Sequence, residues 1–271
     1  MKFLIPAIVI ILFSFSALAD EQPTQPDDLI NPLLVITGPY VGYRFQYFDY
    51  IEPSPDIHQF GILNGVVVGY DGIIQGNDFF YKAEFEYLTG TLAYDGYYQG
   101  GGALSANTND HTALVRFNMG FTKYQTLNTA LQFYSGLTSR YLYDYVQASG
   151  GYRREISQVT LPVGVIRRQA FDRWSYGLMA EIDILVSGTV KSHLSDVGPS
   201  YTDIENKQNR GFGARVGAEF DIPLHSMILM IQPTFQYWVR DDSDIDTNSQ
   251  GSYLEPHNTT KIYNLSVSLK F

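Results

Sequence analysis

Beyond its first nineteen residues, the chain alternates apolar and polar side chains with a period of two, over and over. From Met227 to Val239, Met227, Leu229, Ile231, Pro233, Phe235, Tyr237 and Val239 share one face. Gln232, Thr234 and Gln236, with Arg240 just beyond, share the other. Trp174–Val186, Gln208–Ile222 and Phe79–Tyr87 repeat the pattern, and a period of two is the mark of a strand with two unlike faces. Ten such segments can be drawn, over 40–51, 59–73, 78–94, 110–123, 128–145, 151–167, 173–189, 207–222, 226–240 and 258–271. The second is the least regular, with Asn64 on its apolar face opposite Gly61, Gly65 and Gly69, so a bulge is expected there. No later stretch approaches the ~20 apolar residues of a spanning helix. The chain is therefore soluble, or it crosses a membrane as a closed barrel.

The first segment reads as an address. Lys2 precedes the apolar run Phe3–Phe15, broken only by Pro6, and Ala17 and Ala19 place small residues where a signal peptidase cuts. The expected organisation is a signal peptide at 1–19, an acidic, Pro-rich leader at 20–39 and the strand-rich body at 40–271. A retained N-terminal membrane anchor is the alternative to cleavage.

Composition separates the two solutions. A soluble sandwich turns its polar face to water and fills it with Lys, Glu and Asp. Here charged residues are 17% of the chain, against about 25% in ordinary soluble domains, and aromatics reach 15%. The polar faces are instead rich in Gly, Ser, Thr, Gln and Asn. Aromatics gather near segment ends at Tyr47 and Tyr50, Tyr141, Tyr143 and Tyr145, Phe171 and Trp174, and Tyr237 and Trp238, as interfacial girdles would. Tight connections at 75–78, 123–128, 168–172 and 223–226 alternate with longer ones, three of them long and polar (96–110, 190–206 and 241–257). An even strand number places both chain termini at the short-turn, periplasmic side. A formal charge of −10 argues against a nucleic-acid partner, and the absence of cysteine removes disulfides and thiolate metal sites.

The last segment, Ile262–Phe271, resembles the C-terminal strand of Gram-negative outer-membrane β-barrel proteins. It ends in Phe271, with Tyr263, Leu265, Val267 and Leu269 at alternate positions. The resemblance implies an all-β, closed antiparallel transmembrane barrel of ten strands, with eight or twelve as alternatives. It also implies residence in the outer membrane, contact with the lipid bilayer and lipopolysaccharide, and delivery by periplasmic chaperones. The outer-membrane assembly machinery would read those five residues. A monomer is expected.

If the apolar face meets lipid, the lumen receives Arg44, Lys82, Glu84, Glu86, Arg116, Arg140, Asp144, Glu181, Asp183, Arg215 and Glu219. Such a near-balanced set suits a paired, packed interior, because a desolvated charge is costly alone. The same residues would also line a narrow channel. Lumen glycines such as Gly42, Gly120, Gly136, Gly177, Gly213 and Gly217 either leave room for water or admit large neighbours.

Rim catalysis is the remaining reading. Ten-stranded outer-membrane barrels include the omptin proteases, which use an Asp-x-His pair and an acidic pair across the barrel mouth. Asp56-Ile57-His58 and the Asp242, Asp244, Asp246 series have those spacings, but in reversed order and without an omptin motif around them. Ser139, Ser187 and Ser192-His193 lack a G-x-S-x-G frame for a lipid-modifying hydrolase. The aspartate series also lacks the glycine and closing glutamate of a calcium loop. The Gly- and Tyr-rich run at 96–107 reads as a mobile loop tip or a binding tip. Asn258-Thr259-Thr260 fits a glycosylation acceptor, which a bacterial surface protein rarely uses. The expected function is non-enzymatic, with no cofactor or metal. The chain reads as an outer-membrane barrel with a charged, mostly packed lumen and loops open to an extracellular ligand. A porin-like channel for small solutes is the second reading, and a rim protease or lipid-modifying enzyme the third.

Overall fold

The computed structural model describes residues 30–54, 56–74, 78–98, 101–248 and 250–271. The expected signal peptide with Ala17 and Ala19, and the expected leader up to residue 29, lie outside them. Ten long strands form the wall: β1 (Gly38–Pro53), β2 (Asp56–Ile73), β3 (Phe79–Tyr97), β4 (Ala103–Thr126), β5 (Thr129–Val146), β6 (Arg153–Ala170), β7 (Ser175–Ser192), β9 (Gly211–Leu224), β10 (Met227–Arg240) and β13 (Asn258–Lys270). Each pairs antiparallel with its neighbours, and β13 returns to β1 with Tyr40 opposite Lys270 and Ile51 opposite Thr259. The ten-strand wall closes on itself without a free edge among the described residues, so all wall ladders close internally, as hydrocarbon demands.

Inside and outside follow from the alternation. Phe45, Val115, Ile182 and Val216 each expose about half their surface outward (52%, 55%, 58% and 52%). Their strand neighbours Arg44, Arg116, Glu181 and Arg215 turn inward. Tyr263, Leu265, Val267 and Phe271 lie on the outer face.

Three local features depart from the alternation read in sequence. The irregular second segment keeps one continuous register with β1 and no register shift with β3. Its Asn64 faces outward and accepts a hydrogen bond from the Tyr43 hydroxyl, which partners the amide without a bulge. The wall's shifts fall instead at Tyr124/Thr126 and opposite Val159/Thr160. The second shift leaves an extra residue in β7. Val186 and Ser187 are both exposed, and Leu185 and Val190 both turn inward, so Ser187 is not a lumen residue. Tyr50 and Trp238, grouped with the girdle aromatics in sequence, are also inside, each 5% exposed. Both occupy even positions on strands whose odd positions face out.

The two ends of the barrel differ. At the short-turn end, β4 meets β5 and β9 meets β10 through two residues each. Ile30–Thr37, the described part of the leader, crosses this mouth. Asn31 accepts from the Leu33 N–H and Pro32 starts a 3-10 turn over Pro32–Leu34, a compatible cap and first residue. The Asn31 N–H donates to the Leu127 carbonyl (2.9 Å), and Leu34 is fully buried against Ala130 and Ala170. These partners belong to β5 and β6 and to the turn before β5, opposite β1 in the closed sheet. The strap therefore spans the mouth from side to side.

At the other end, the strands outrun the about 9–11 residues needed to span a bilayer, most of all β4 with its 24. The Gly- and Tyr-rich run is largely strand. Ala103–Asn107 pairs with Ala93–Tyr97, and Gly101 and Gly102 take positive φ at the tip. Backbone pairing needs no apolar alternation, so the sequence pattern gave no sign of it. Short strand β8 (Ile204–Lys207) adds to β7, and the hairpin β11 (Ile245–Asn248) and β12 (Gly251–Leu254) stands beside it. Together they form a hood over the rim.

Candidate functional site in the lumen and at the loop-side rim

The interior is crossed by three tiers of charge. Nearest the strap, Lys270 reaches Asp71 (2.5 Å), and Arg168 binds Asp221 (3.1 Å) and Glu219. Lys82 lies between Asp71 (3.6 Å) and Glu219 (3.7 Å). In the middle, Arg44 pairs with Glu84 (3.2 Å) and Glu86. Glu181 holds Arg215 (2.6 Å) and Arg116 (3.7 Å) and accepts from the Tyr134 hydroxyl (2.8 Å). Asp183 accepts from Gln236 (2.9 Å). Toward the rim, Arg154 gathers Asp144 (3.1 Å), Glu255 (3.6 Å) and Glu52 (3.9 Å). Gln59 donates to Asp110 (3.0 Å). Buried ion pairs of this kind rigidify only when their remaining atoms are also satisfied.

Glycine opposite a large aromatic makes this crowding feasible. Tyr40 faces Gly69 across β1 and β2, and a Cβ at Gly69 would come 2.3 Å from the phenol ring. Tyr134 covers Gly164 in the same way, at 2.4 Å. The flattened rings place their hydroxyls on Glu84 (2.8 Å) and Glu181 (2.8 Å). At these positions glycine admits a bulky neighbour rather than leaving a bore.

All eleven lumen charges named from the sequence sit on the inward face. Ten of them have an ion-pair or hydrogen-bond partner, and Arg140 lies over the Phe48 ring (5.7 Å) without a carboxylate within 4 Å. The lumen set named from the sequence omits Glu52, Asp71, Asp110, Arg154, Arg168, Asp221, Glu255 and Lys270, and it omits Arg240 although the alternation puts that residue on the polar face. Most of these sit at strand ends. Asp221 and Lys270 share parity with Glu219 and Ser268, so carrying the alternation two residues further would have found them. Arg168 fell in a segment read as a turn, and Glu255 in a loop.

The interior space is broken up. A central cavity of about 100 Å³ touches Arg44, Lys82, Glu84, Arg116 and Arg215. Beyond it lie cavities of about 40 Å³ and 30 Å³ toward the rim and about 20 Å³ under the strap. The three smaller ones have room for one to a few waters each, and the central one for several.

At the rim, His58 bonds Asp49 (2.8 Å) on the outer wall rather than Asp56. Each aspartate of the 242–246 series holds backbone. Asp242 accepts from the His257 N–H (2.6 Å), Asp244 from Lys207 (2.5 Å) and Asp246 from Glu205 (2.8 Å). His193 lies between Asp203 (2.9 Å) and Glu155 (2.8 Å), while Ser192 turns inward and Ser139 outward. Arg153 grips Asp196 through two nitrogens (2.7 and 2.8 Å). Its hydrogen bonds hold the Asp196 carboxyl below the usual range. Partial burial pushes Asp203 up, but the Ser195 hydroxyl and N–H, with His193, outweigh it and leave Asp203 lowered.

A closed ten-strand antiparallel barrel with an apolar belt and a charged interior is an integral membrane barrel of the outer-membrane type. No protein-family profile and no curated protein matches the sequence. Among solved structures, the transport unit of the autotransporter AIDA-I from Escherichia coli is similar in shape. It has 9% identity and a TM-score of 0.48, with 94% of each chain covered. The translocator domain of the autotransporter NalP from Neisseria meningitidis has 12% identity and a TM-score of 0.41, covering 87% of this chain and 89% of that one. Ail, the attachment invasion locus protein of Yersinia pestis, has 7% identity and a TM-score of 0.34, covering 87% and 100%. At these identities and scores the likeness is one of overall shape.

Proposed function

We propose that this chain is a monomeric outer-membrane barrel with a sealed lumen, which acts through its surface rather than by transport or catalysis. The strap end faces the periplasm and the hood faces outward. The observation that carries the reading is the interior. Ion pairs cross it at three levels, its largest cavity is about 100 Å³, and Ile30–Thr37 lies over one mouth. A solute would have to break several buried pairs at once, each costly to separate. The long β3–β4 hairpin and the hood offer the surface for an extracellular ligand, alongside lipopolysaccharide around the belt. During biogenesis, periplasmic chaperones and the assembly machinery would engage Tyr263, Leu265, Val267, Leu269 and Phe271. Planar-bilayer recording of the refolded barrel, with heat-modifiable gel mobility as the proof of folding, tests this reading. A folded, silent barrel is expected. Reproducible conductance steps altered by Arg116→Ala would replace it with the channel.

A further inference from the structure

Two lumen arginines lack what every other buried cation has. Among the described residues, Arg140 on β5 and Arg240 on β10 have no carboxylate within 4 Å, whereas Arg44, Lys82, Arg116, Arg154, Arg168, Arg215 and Lys270 each have at least one. Arg240 is 4% exposed and is met only by neutral acceptors. It donates to Thr260 (2.9 Å), Gln158 (3.1 Å) and Asn258 (3.4 Å), and lies over the Trp238 ring at 4.9 Å. These bonds satisfy some of its hydrogens and leave its charge uncompensated.

Both arginines line one cavity of about 30 Å³, between the middle and rim tiers. Among its lining residues, the side-chain atoms left buried without a partner are Arg140 Nη2 and Arg240 Nε, and both are donors. The central cavity differs. Its unpartnered atoms mix acceptors (Asp71 Oδ1, Asn118 Oδ1, Asn264 Oδ1) with donors (Arg116 Nε, Arg215 Nε), which water can bridge. One carboxylate, Glu255, does line the smaller cavity, but its Oε1 serves Tyr50 (3.0 Å) and Arg154 (3.6 Å). The other nearby carboxylates are also committed, Glu86 to Arg44 and Asp110 to Gln59 and Thr108.

We infer that this cavity binds one small monovalent anion, chloride or an ion of its size, held by Arg140 Nη2 and Arg240 Nε. A buried guanidinium without a counter-charge is strongly unfavourable, and low local dielectric strengthens its attraction for an anion. Water would accept the two hydrogens and leave both charges standing. The small cavity favours a small ion. The bound ion ties β5 to β10, which lie far apart in the closed sheet, and offsets one of the two positive charges that carboxylates balance at the other buried cations.

The test uses the full refolded barrel. Crystals soaked in bromide should show one anomalous peak between Arg140 and Arg240, and a water or an empty site there overturns the inference. At equal ionic strength, the midpoint of heat-induced unfolding should be several degrees higher in chloride than in gluconate, which is too large for the site. Arg140→Gln should abolish that difference. A difference that survives in Arg140→Gln places the chloride effect elsewhere and also overturns the inference. Should Arg140→Gln fail to fold, the bromide peak in the unmodified barrel decides.

Discussion

The chain has two tryptophans, and they occupy opposite environments. Trp174 lies outside at the short-turn end, 38% exposed, stacked on Phe171 at 4.6 Å. Trp238 lies inside near the rim, 5% exposed, beneath the Arg240 guanidinium. The same contrast runs along every wall strand. Outward side chains need only be apolar, because lipid asks for no particular shape. Inward side chains must fill a narrow bore and satisfy one another, so each depends on partners from other strands. The outer face should therefore respond to substitution by polarity and depth, and the inner face by partner and volume.

The largest expected effect is on the inner face. Glu181→Ala leaves Arg215 and Arg116 without their shared carboxylate and should cost about 3–5 kcal/mol in lipid-based unfolding. Glu181→Gln, which keeps the shape and an acceptor, should cost clearly less. Equal losses would mean that charge pairing is not what matters there. On the outer face, Ile182→Arg or Val216→Arg should cost about 2–4 kcal/mol in the same assay, from placing a charge in hydrocarbon. Negligible losses would reverse the assignment of faces. Volume comes next. At Gly213 a Cβ would lie 2.7 Å from the Trp238 ring, so Gly213→Ala should cost about 1–3 kcal/mol, while adjacent Ala214→Val on the lipid side should change little.

The smallest effect belongs to the hood, which neither lipid nor the lumen constrains. Asp196 and Asp203 are held below the ordinary carboxylate range. Their stabilising contacts are complete above about pH 4 and weaken as pH falls through the lowered values. Protease cleavage within 193–210 should increase only below about pH 4, with the wall intact. Cleavage that rises well above pH 4 would contradict this account of the two aspartates.

The outer face was the legible one. The facing of Ile182, Val216 and Leu265 follows from alternation, since burial in lipid needs one kind of residue, while closure also needed composition and the C-terminal strand. The inner face was legible only where charge repeated in phase, as at Glu84 and Glu86 or Arg215 and Glu219. Leu63 and Val67 are apolar yet inside, and Tyr50 and Trp238 resembled girdle residues until their parity was fixed. The extra residue in β7 is invisible in the pattern because Val186 and Ser187 suit either reading. The partners that complete the network, Arg154 with Glu255 or Arg168 with Asp221, lie 101 and 53 residues apart in the chain, and only closure brings them together.

The two native tryptophans also provide the most direct test of this division. Single-tryptophan barrels made with Trp238→Phe or Trp174→Phe would be refolded into bilayers whose acyl chains carry bromine near the headgroups. Fluorescence of Trp174 should be strongly quenched, and that of Trp238 should stay close to its value in unbrominated lipid. Equal quenching of both, or quenching of Trp238 alone, would contradict a wall whose apolar face meets lipid and whose charged face is sealed inside.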